Sequence, residues 1–372
     1  MVDTGAPAVA DGQDYPPPEV LKAFLLRYGF DGTTYARRNA DLAGHSPEAA
    51  LSHFAHHGWR EGRMPGFILS MAQIQQLRLT DWSAPWTQHL AMLAMRTLIW
   101  EAQSQHRPGT LPVLADLMTG SPDHVPALVI GDSHSAFLHS GAAMLAGGVL
   151  PAPLLCRAGS ARGLTNPDSR ARHRDTILRT LDGLGQMLTH RPVIFQFGQV
   201  DIEFLFDMKR IRDGETRYIA DEARRFIRQS IGRYGTFLAE CRKHSRARFI
   251  VMGVFPPALD DATVRAGYTN AHIATLNEHD DIDMLKRQLA ALEHPDAAAR
   301  TALARYFNRI MRTSCTRARI GFIEEFDALL GPDGLVRRAL TNPDDHHLAL
   351  HSPFIHQRMT AVARQIAAMA RR

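Results

Sequence analysis

The chain has 372 residues, 45% of them hydrophobic and 22% charged, with a formal net charge of +5 at pH 7. That composition belongs to an ordinary globular protein, long enough for a large α/β domain plus a smaller unit, and it excludes fibrous or collagen-like chains. The three cysteines, Cys156, Cys241 and Cys315, are far apart and lack metal-ligand spacing, which excludes a disulfide framework, and the scattered lysines and arginines give little reason to expect nucleic acid.

The first residues show neither the basic n-region nor the apolar h-region of a secretion signal, and no apolar run reaches the length of a membrane span. The expected location is therefore cytoplasmic, with no membrane span. Residues 1–20 are rich in Ala, Gly, Pro and Asp and read as a disordered tail ending near Pro16-Pro17-Pro18. Residues 21–66 read as a small helical unit in which Ser46 is an N-cap, Pro47 stands at N1 and Gly58 is a stop. Within it Phe30-Asp31, Tyr35, Asp41, His53-Phe54 and Gly58-Trp59-Arg60-Glu61-Gly62-Arg63-Met64-Pro65 follow one another at fixed spacing. This pattern resembles a short repeat found beside bacterial surface-polysaccharide glycosyltransferases, and the resemblance implies glycan-related company and a glycosyltransferase-associated partner. A helical hairpin that merely packs accounts for the same residues.

Residues 67–122 read as a helical linker whose Trp86, Leu90, Leu93, Leu98 and Trp100 suit a core. From 123 to 372 strands and helices alternate. Strands are predicted over 125–131, 192–198, 248–255 and 318–323, and helices over 133–147, 170–189, 217–244, 296–314 and 353–370. Strands separated by long helical patterns imply an α/β fold with a parallel sheet and helices on both faces. The stretch 256–295 fits neither pattern and reads as a loop or lid. Arg157, Arg162, Arg170, Arg172, Arg174 and Arg179 form the densest basic cluster, which suits a solvated helix face better than an anionic ligand.

Chemistry-bearing residues stand at predicted strand ends. The apolar run Ala127-Leu128-Val129-Ile130 stops at Gly131-Asp132-Ser133-His134, delivering Ser133 to the carboxyl edge of the sheet, where open α/β sheets bind ligands. A later run ends at Gly198 and delivers Gln199 and Asp201 to the same edge. The loop around Gly159 and Ser160 presents backbone amides suited to an anion. Asp344 and His347 precede the last helix. A nucleophilic serine needs a base, a carboxylate to orient that base, and donors facing the oxyanion. Ser133, His347 and Asp344, with Gly159, supply one of each.

With these residues in this order the chain resembles the SGNH/GDSL hydrolase superfamily over roughly residues 123–372. Gly131-Asp132-Ser133-His134 matches the first block, with His in place of the usual Leu, and Asp344-Asp345-His346-His347-Leu348 matches the last. The resemblance implies a flavodoxin-like three-layer α/β/α fold and a Ser133–His347–Asp344 triad acting without metal or cofactor on a small-molecule or glycan ester. Gly159, with Gly163 as its rival, takes the second-block position. The third block departs: Gly198-Gln199-Val200-Asp201 carries Val200 where the family has its oxyanion Asn. If extended alternation continued past Gly198, Gln199 would be the replacement donor and Val200 would point away. Asp132, His134 and Asp201 are support residues. Three alternatives stay open: an acyltransferase using the same triad, a catalytically weak glycan- or partner-binding module, and a metallophosphoesterase suggested by the D-x-H step Asp132-Ser133-His134.

Overall fold

The computed structural model describes residues 17–27, 30–58, 63, 124–139, 141–269, 274, 281–343, 345–350 and 352–371. The N-terminal tail expected over 1–20 is described only from residue 17, and the helical linker expected over 67–122 lies outside the described residues. The chain packs as two compact units, one of Met1–Leu128, Leu138–Leu154 and Pro353–Arg372, the other of Val129–Phe137 and Leu155–Ser352.

In the first unit, α1 (Pro18–Arg27), α2 (Gly32–Arg38) and α3 (Pro47–His53) are short, and side-chain caps define the starts of α2 and α3. Asp31 accepts from the Thr33 amide at the start of α2, and Ser46 accepts from the Ala49 amide ahead of Pro47. Phe30, Tyr35 and Phe54 make one aromatic cluster, with Tyr35 edge-on to Phe54 at 5.2 Å. Tyr35 Oη lies 3.2 Å from His53 Nδ1, and Arg63 reaches both oxygens of Asp41 at 2.8 Å. The motif residues of this segment therefore have structural work in its own packing. Also in this unit, α4 (Gly141–Ala146) leads into β2 (Val149–Leu155), and the final helix (Pro353–Arg371) receives Gly147 against Ala363.

The sheet has five strands: β1 (Val125–Gly131), β2, β3 (Pro192–Gln196), β4 (Arg248–Met252) and β5 (Gly321–Ile323), in the order β2-β1-β3-β4-β5. Strands β3, β4 and β5 pair in parallel. This is the flavodoxin-like order, whose topological switch point lies between β1 and β3. The fold is α/β, as the alternation of patterns implies. Sequence reading missed β2, because Val149-Leu150-Pro151-Ala152-Pro153 carries two prolines.

The second unit adds α5 (His173–Leu184), α6 (Phe206–Asp213), α7 (Ala220–His244), α8 (Asp261–Arg265), α9 (Ile282–Ala290) and α10 (Ala297–Ala318). The last helix, α11, is Pro353–Arg371. In α7 the buried residues Phe226, Ile227, Ser230, Ile231, Tyr234, Phe237, Leu238 and Cys241 recur at helical spacing. Its Phe237 meets Phe195 of β3 edge-on, and Tyr234 meets Phe197. The strand expected over 318–323 is shorter because α10 runs to Ala318 and ends on Arg319 in the left-handed region. Part of the unplaced 256–295 stretch is helical, in α8 and α9, each capped by an aspartate.

Candidate active site

The turn after β1 is crowded. A Cβ on Gly131 would lie 2.6 Å from Ser135 Cβ and 2.7 Å from the Gln196 carbonyl, so only glycine allows β1 to turn this close to β3. The Asp132 amide donates to Gln196 O and the Cys156 amide to Gly131 O, which locks the turn at the switch point. Ser133 heads a 3-10 helix, Ser133–Leu138, and is partly exposed. In that first turn the His134 amide goes to Asp132 Oδ1 and the Ser135 amide to Asp132 O. The Ser133 amide, beside its own hydroxyl, has no partner among the described residues.

Ser133 Oγ lies 2.7 Å from His347 Nε2, although 214 positions separate them in the chain. His347 Nδ1 lies 2.6 Å from Asp345 Oδ1, and the His347 amide donates to the same oxygen at 3.1 Å. With Nδ1 donating to the carboxylate, Nε2 is left to accept the serine proton. Burial works to raise the Asp345 carboxyl, but the hydrogen bond and charge of His347 outweigh it and hold it at about 2. The group is therefore a carboxylate at neutral pH. The carboxylate position assigned to Asp344 is filled by Asp345, while Asp344 itself lies outside the described residues. The reason is local: Asp345 closes an Asx turn onto the His347 backbone, and that turn brings its oxygen to the ring as well.

Both expected oxyanion side donors are committed elsewhere. Ala158, in the left-handed region at φ 52°, folds the Gly159 amide back to donate to Cys156 O at 2.8 Å. Gly163, the alternative, gives its amide to Ser160 Oγ. Gln199 is buried and its side-chain amide donates to Glu203 Oε1 at 2.7 Å and Phe255 O at 3.2 Å, while its Oε1 accepts from the Phe255 amide at 2.9 Å. The assumption of continued extension fails because Gly198, at φ +119° with the Phe307 ring against its Cα, ends the strand and Val200 is already helical. Val200 sits in an apolar cluster with Phe204, Met208 and Leu289.

Gln199 is thus a clamp on the chain beyond β4. Gln199→Ala is expected to lower the melting temperature, since it strands the buried Phe255 amide at a cost of about 1–3 kcal/mol. Turnover per folded molecule should change little. A loss of 10²–10³ in kcat at unchanged melting temperature would restore the oxyanion role.

The support residues have defined partners. Asp201 accepts from the Ala161 amide at 2.7 Å and the Arg162 amide at 3.0 Å, pinning the loop that follows β2. Burial raises its carboxyl to about 6 against those two amides. Asp132 is fully buried beside His134, whose Nδ1 lies 3.0 Å from Asp132 Oδ1, and burial pushes this carboxyl to about 7. His134 is driven well below the ordinary histidine value, first by burial and then by His347. Three residues that motif reading did not single out for the site complete the surroundings. His346, buried, lies 2.9 Å from Tyr268 Oη through Nδ1 and meets Phe204 edge-on. Its ionisation is pushed down to about 2 by burial and by the neighbouring histidines. The doubled pair Asp344-Asp345-His346-His347 was the signal that more than one histidine belonged here, but only the turn geometry separates their tasks.

Glu203 beneath Gln199 carries a stability consequence. Burial pushes its carboxyl up to about 8, opposed by the hydrogen bond from Gln199. Between its ordinary value of 4.5 and about 8 the folded chain keeps a proton that the unfolded chain releases. The stabilising contribution is therefore whole below about pH 4.5 and is lost as pH rises through about 8. In denaturant titrations, Glu203→Gln should flatten the fall in unfolding free energy across that window. An unchanged slope would show that Glu203 is ionised throughout.

No family model matches the chain, and no curated protein matches it. Among solved structures it is similar to a carbohydrate acetylesterase from Sinorhizobium meliloti at 13% identity, covering 66% of this chain and 99% of that one with a TM-score of 0.37. It is also similar to a GDSL-like lipase from Bacteroides thetaiotaomicron at 11% identity, covering 70% and 99% with a TM-score of 0.36. A phospholipase A1 from Streptomyces albidoflavus matches at 12% identity, covering 64% and 99% with a TM-score of 0.34. At these identities and TM-scores the likeness adds no argument to the geometry of the site. Among the described residues no helix is long and apolar enough to cross a membrane.

Proposed function

We propose that the chain is a serine esterase of SGNH type. One observation carries the reading: Ser133, His347 and Asp345 form a hydrogen-bonded relay of 2.7 and 2.6 Å at the β1/β3 switch point of a flavodoxin-ordered sheet. Ser133 Oγ attacks an ester carbonyl while His347 Nε2 takes its proton, and the same proton then leaves on the alcohol. A water, deprotonated by His347, releases the acid. Asp345 fixes the Nδ1–H tautomer and stabilises the imidazolium. The amides of Ser133 and Ser160, neither with a partner among the described residues, are the donors proposed for the oxyanion.

The narrower proposal is an acyl ester of a carbohydrate, supported by the likeness of residues 30–65 to a repeat that accompanies polysaccharide glycosyltransferases. Hydrolysis of p-nitrophenyl esters of increasing acyl length, with peracetylated sugars alongside, tests both levels. Preference for acetyl supports the carbohydrate reading, preference for long chains overturns it, and no turnover of any ester overturns the esterase.

A second reading has an observation of its own. Gly159 and Gln199 both spend their donors elsewhere, and an oxyanion donor is typically worth about 2.7–4 kcal/mol, or 10²–10³ in rate. A weak catalyst that mainly binds a glycan or a partner fits that shortage. Acetylated glycan binding by active-site-blocked protein, with turnover barely above background, would favour it.

A further inference from the structure

His134, His346 and His347 stand together around the nucleophile. Their ring centroids lie 5.1 Å apart for His134 and His346, 4.6 Å for His134 and His347, and 3.9 Å for His346 and His347. One ring nitrogen from each of the three lies within 4.8 Å of the other two. An ester hydrolase needs one of these imidazoles, and the relay leaves the other two without a task.

The way the three rings are held is the second observation. Each has an oxygen on Nδ1: Asp132 Oδ1 at 3.0 Å for His134, Tyr268 Oη at 2.9 Å for His346 and Asp345 Oδ1 at 2.6 Å for His347. Metal-binding histidines are held in this way, with an outer oxygen fixing one nitrogen and orienting the ring so that the other faces the ion. His134 and His346 are 5% and 2% exposed; Nε2 of His346 is buried without a hydrogen-bond partner, and Nε2 of His134 makes no well-formed hydrogen bond although the His346 backbone interacts with its ring. A buried imidazole nitrogen left unpaired is costly, roughly 1–3 kcal/mol, so the unpaired Nε2 of His346, with the poorly paired Nε2 of His134 beside it, calls for an occupant. The third Nε2, on His347, is the one that meets Ser133 Oγ.

We propose that His134, His346 and His347 bind a first-row divalent ion of the zinc class through Nε2, and that the bound ion holds the serine site inactive. Neutral imidazole donors suit Zn²⁺, Co²⁺, Ni²⁺ or Cu²⁺ and are poor partners for Mg²⁺ or Ca²⁺. Tetrahedral zinc, with bonds of about 2.0–2.1 Å, brings its nitrogens to on the order of 3.4 Å apart, so the rings close inward on binding. The ion takes the His347 lone pair that would accept the serine proton. Ser133 then keeps its proton and no acyl-enzyme forms. The inhibitory half of the proposal rests on the esterase reading, and the binding half does not.

The full chain carrying Ser133→Ala keeps all three histidines and has no nucleophile, so it isolates binding from activity. Titration calorimetry with ZnCl₂, and visible absorption with CoCl₂ as the spectroscopic probe, should show saturable binding of about one equivalent with a tetrahedral cobalt band. Tyr268→Phe, which removes only an outer oxygen, should weaken zinc by about 10–100-fold. The double variant His134→Gln, His346→Gln should lose the cobalt band while keeping a cooperative melt. Absence of saturable binding to folded protein overturns the site, as does binding indifferent to both sets of changes. In the parent chain, zinc should suppress fluorophosphonate labelling of Ser133, and chelation should restore it. Labelling unaffected by bound zinc overturns the inhibitory half alone, and no labelling with or without chelator counts against the esterase while the calorimetry still decides the site.

Discussion

Replacing Ser133 by alanine is expected to abolish covalent labelling by a fluorophosphonate and to lower ester turnover by about 10⁴–10⁶. The size of the effect follows from the role: no other oxygen is placed 2.7 Å from His347 Nε2 by the hydrogen bonds of the described residues. The substitution should leave the fold intact, because Ser133 is partly exposed at the head of a 3-10 turn whose other amides are held by Asp132. Matching melting curves with lost labelling would support the nucleophile. Labelling that persists in Ser133→Ala would place the reactive group elsewhere and sink the assignment.

Asp345→Asn should lower kcat by about 10⁴ with little change in KM. An amide at this position still accepts the His347 backbone amide through its oxygen, so the Asx turn survives. With the amide oxygen at the shared site what is lost is the charge beside the imidazolium, whereas the rotamer that turns NH₂ to the ring gives up the bond to the His347 amide and leaves the proton on Nε2. The proton-accepting nitrogen then no longer faces Ser133. Asp344→Asn is the control and should be mild, and His347→Ala should resemble Ser133→Ala while His346→Ala retains much of the turnover. If Asp344→Asn proves the damaging change and Asp345→Asn the mild one, the geometry of this loop is misread.

A bound metal would add a condition to these experiments. Zinc carried through purification should depress every rate measured, so activities belong in the presence of a chelator, and the ratio with and without it is itself informative.

The sequence by itself determined the class of the fold and brought forward Ser133 and His347 as candidates, which the structure places 2.7 Å apart. Continuous apolar runs in β1, β3 and β4 read as strands because a strand covered on both faces need not alternate, and the apolar residues of α7 and α10 recur at helical spacing. Ser133 was legible because a small polar residue directly after such a strand has one place to go, the carboxyl edge of the sheet. Tertiary structure decided the rest. Which of two adjacent aspartates faces His347 depends on one Asx turn, and composition and spacing do not distinguish its two registers. Gln199 failed as an oxyanion donor because Gly198, with the Phe307 ring packed on it, turns the chain into a helix where alternation would have continued. Gly159 failed because Ala158 adopts a left-handed turn that no residue preference announced. The gathering of His134, His346 and His347 joins positions more than 200 residues apart, and only the packed sheet and its loops bring those nitrogens within 4.8 Å.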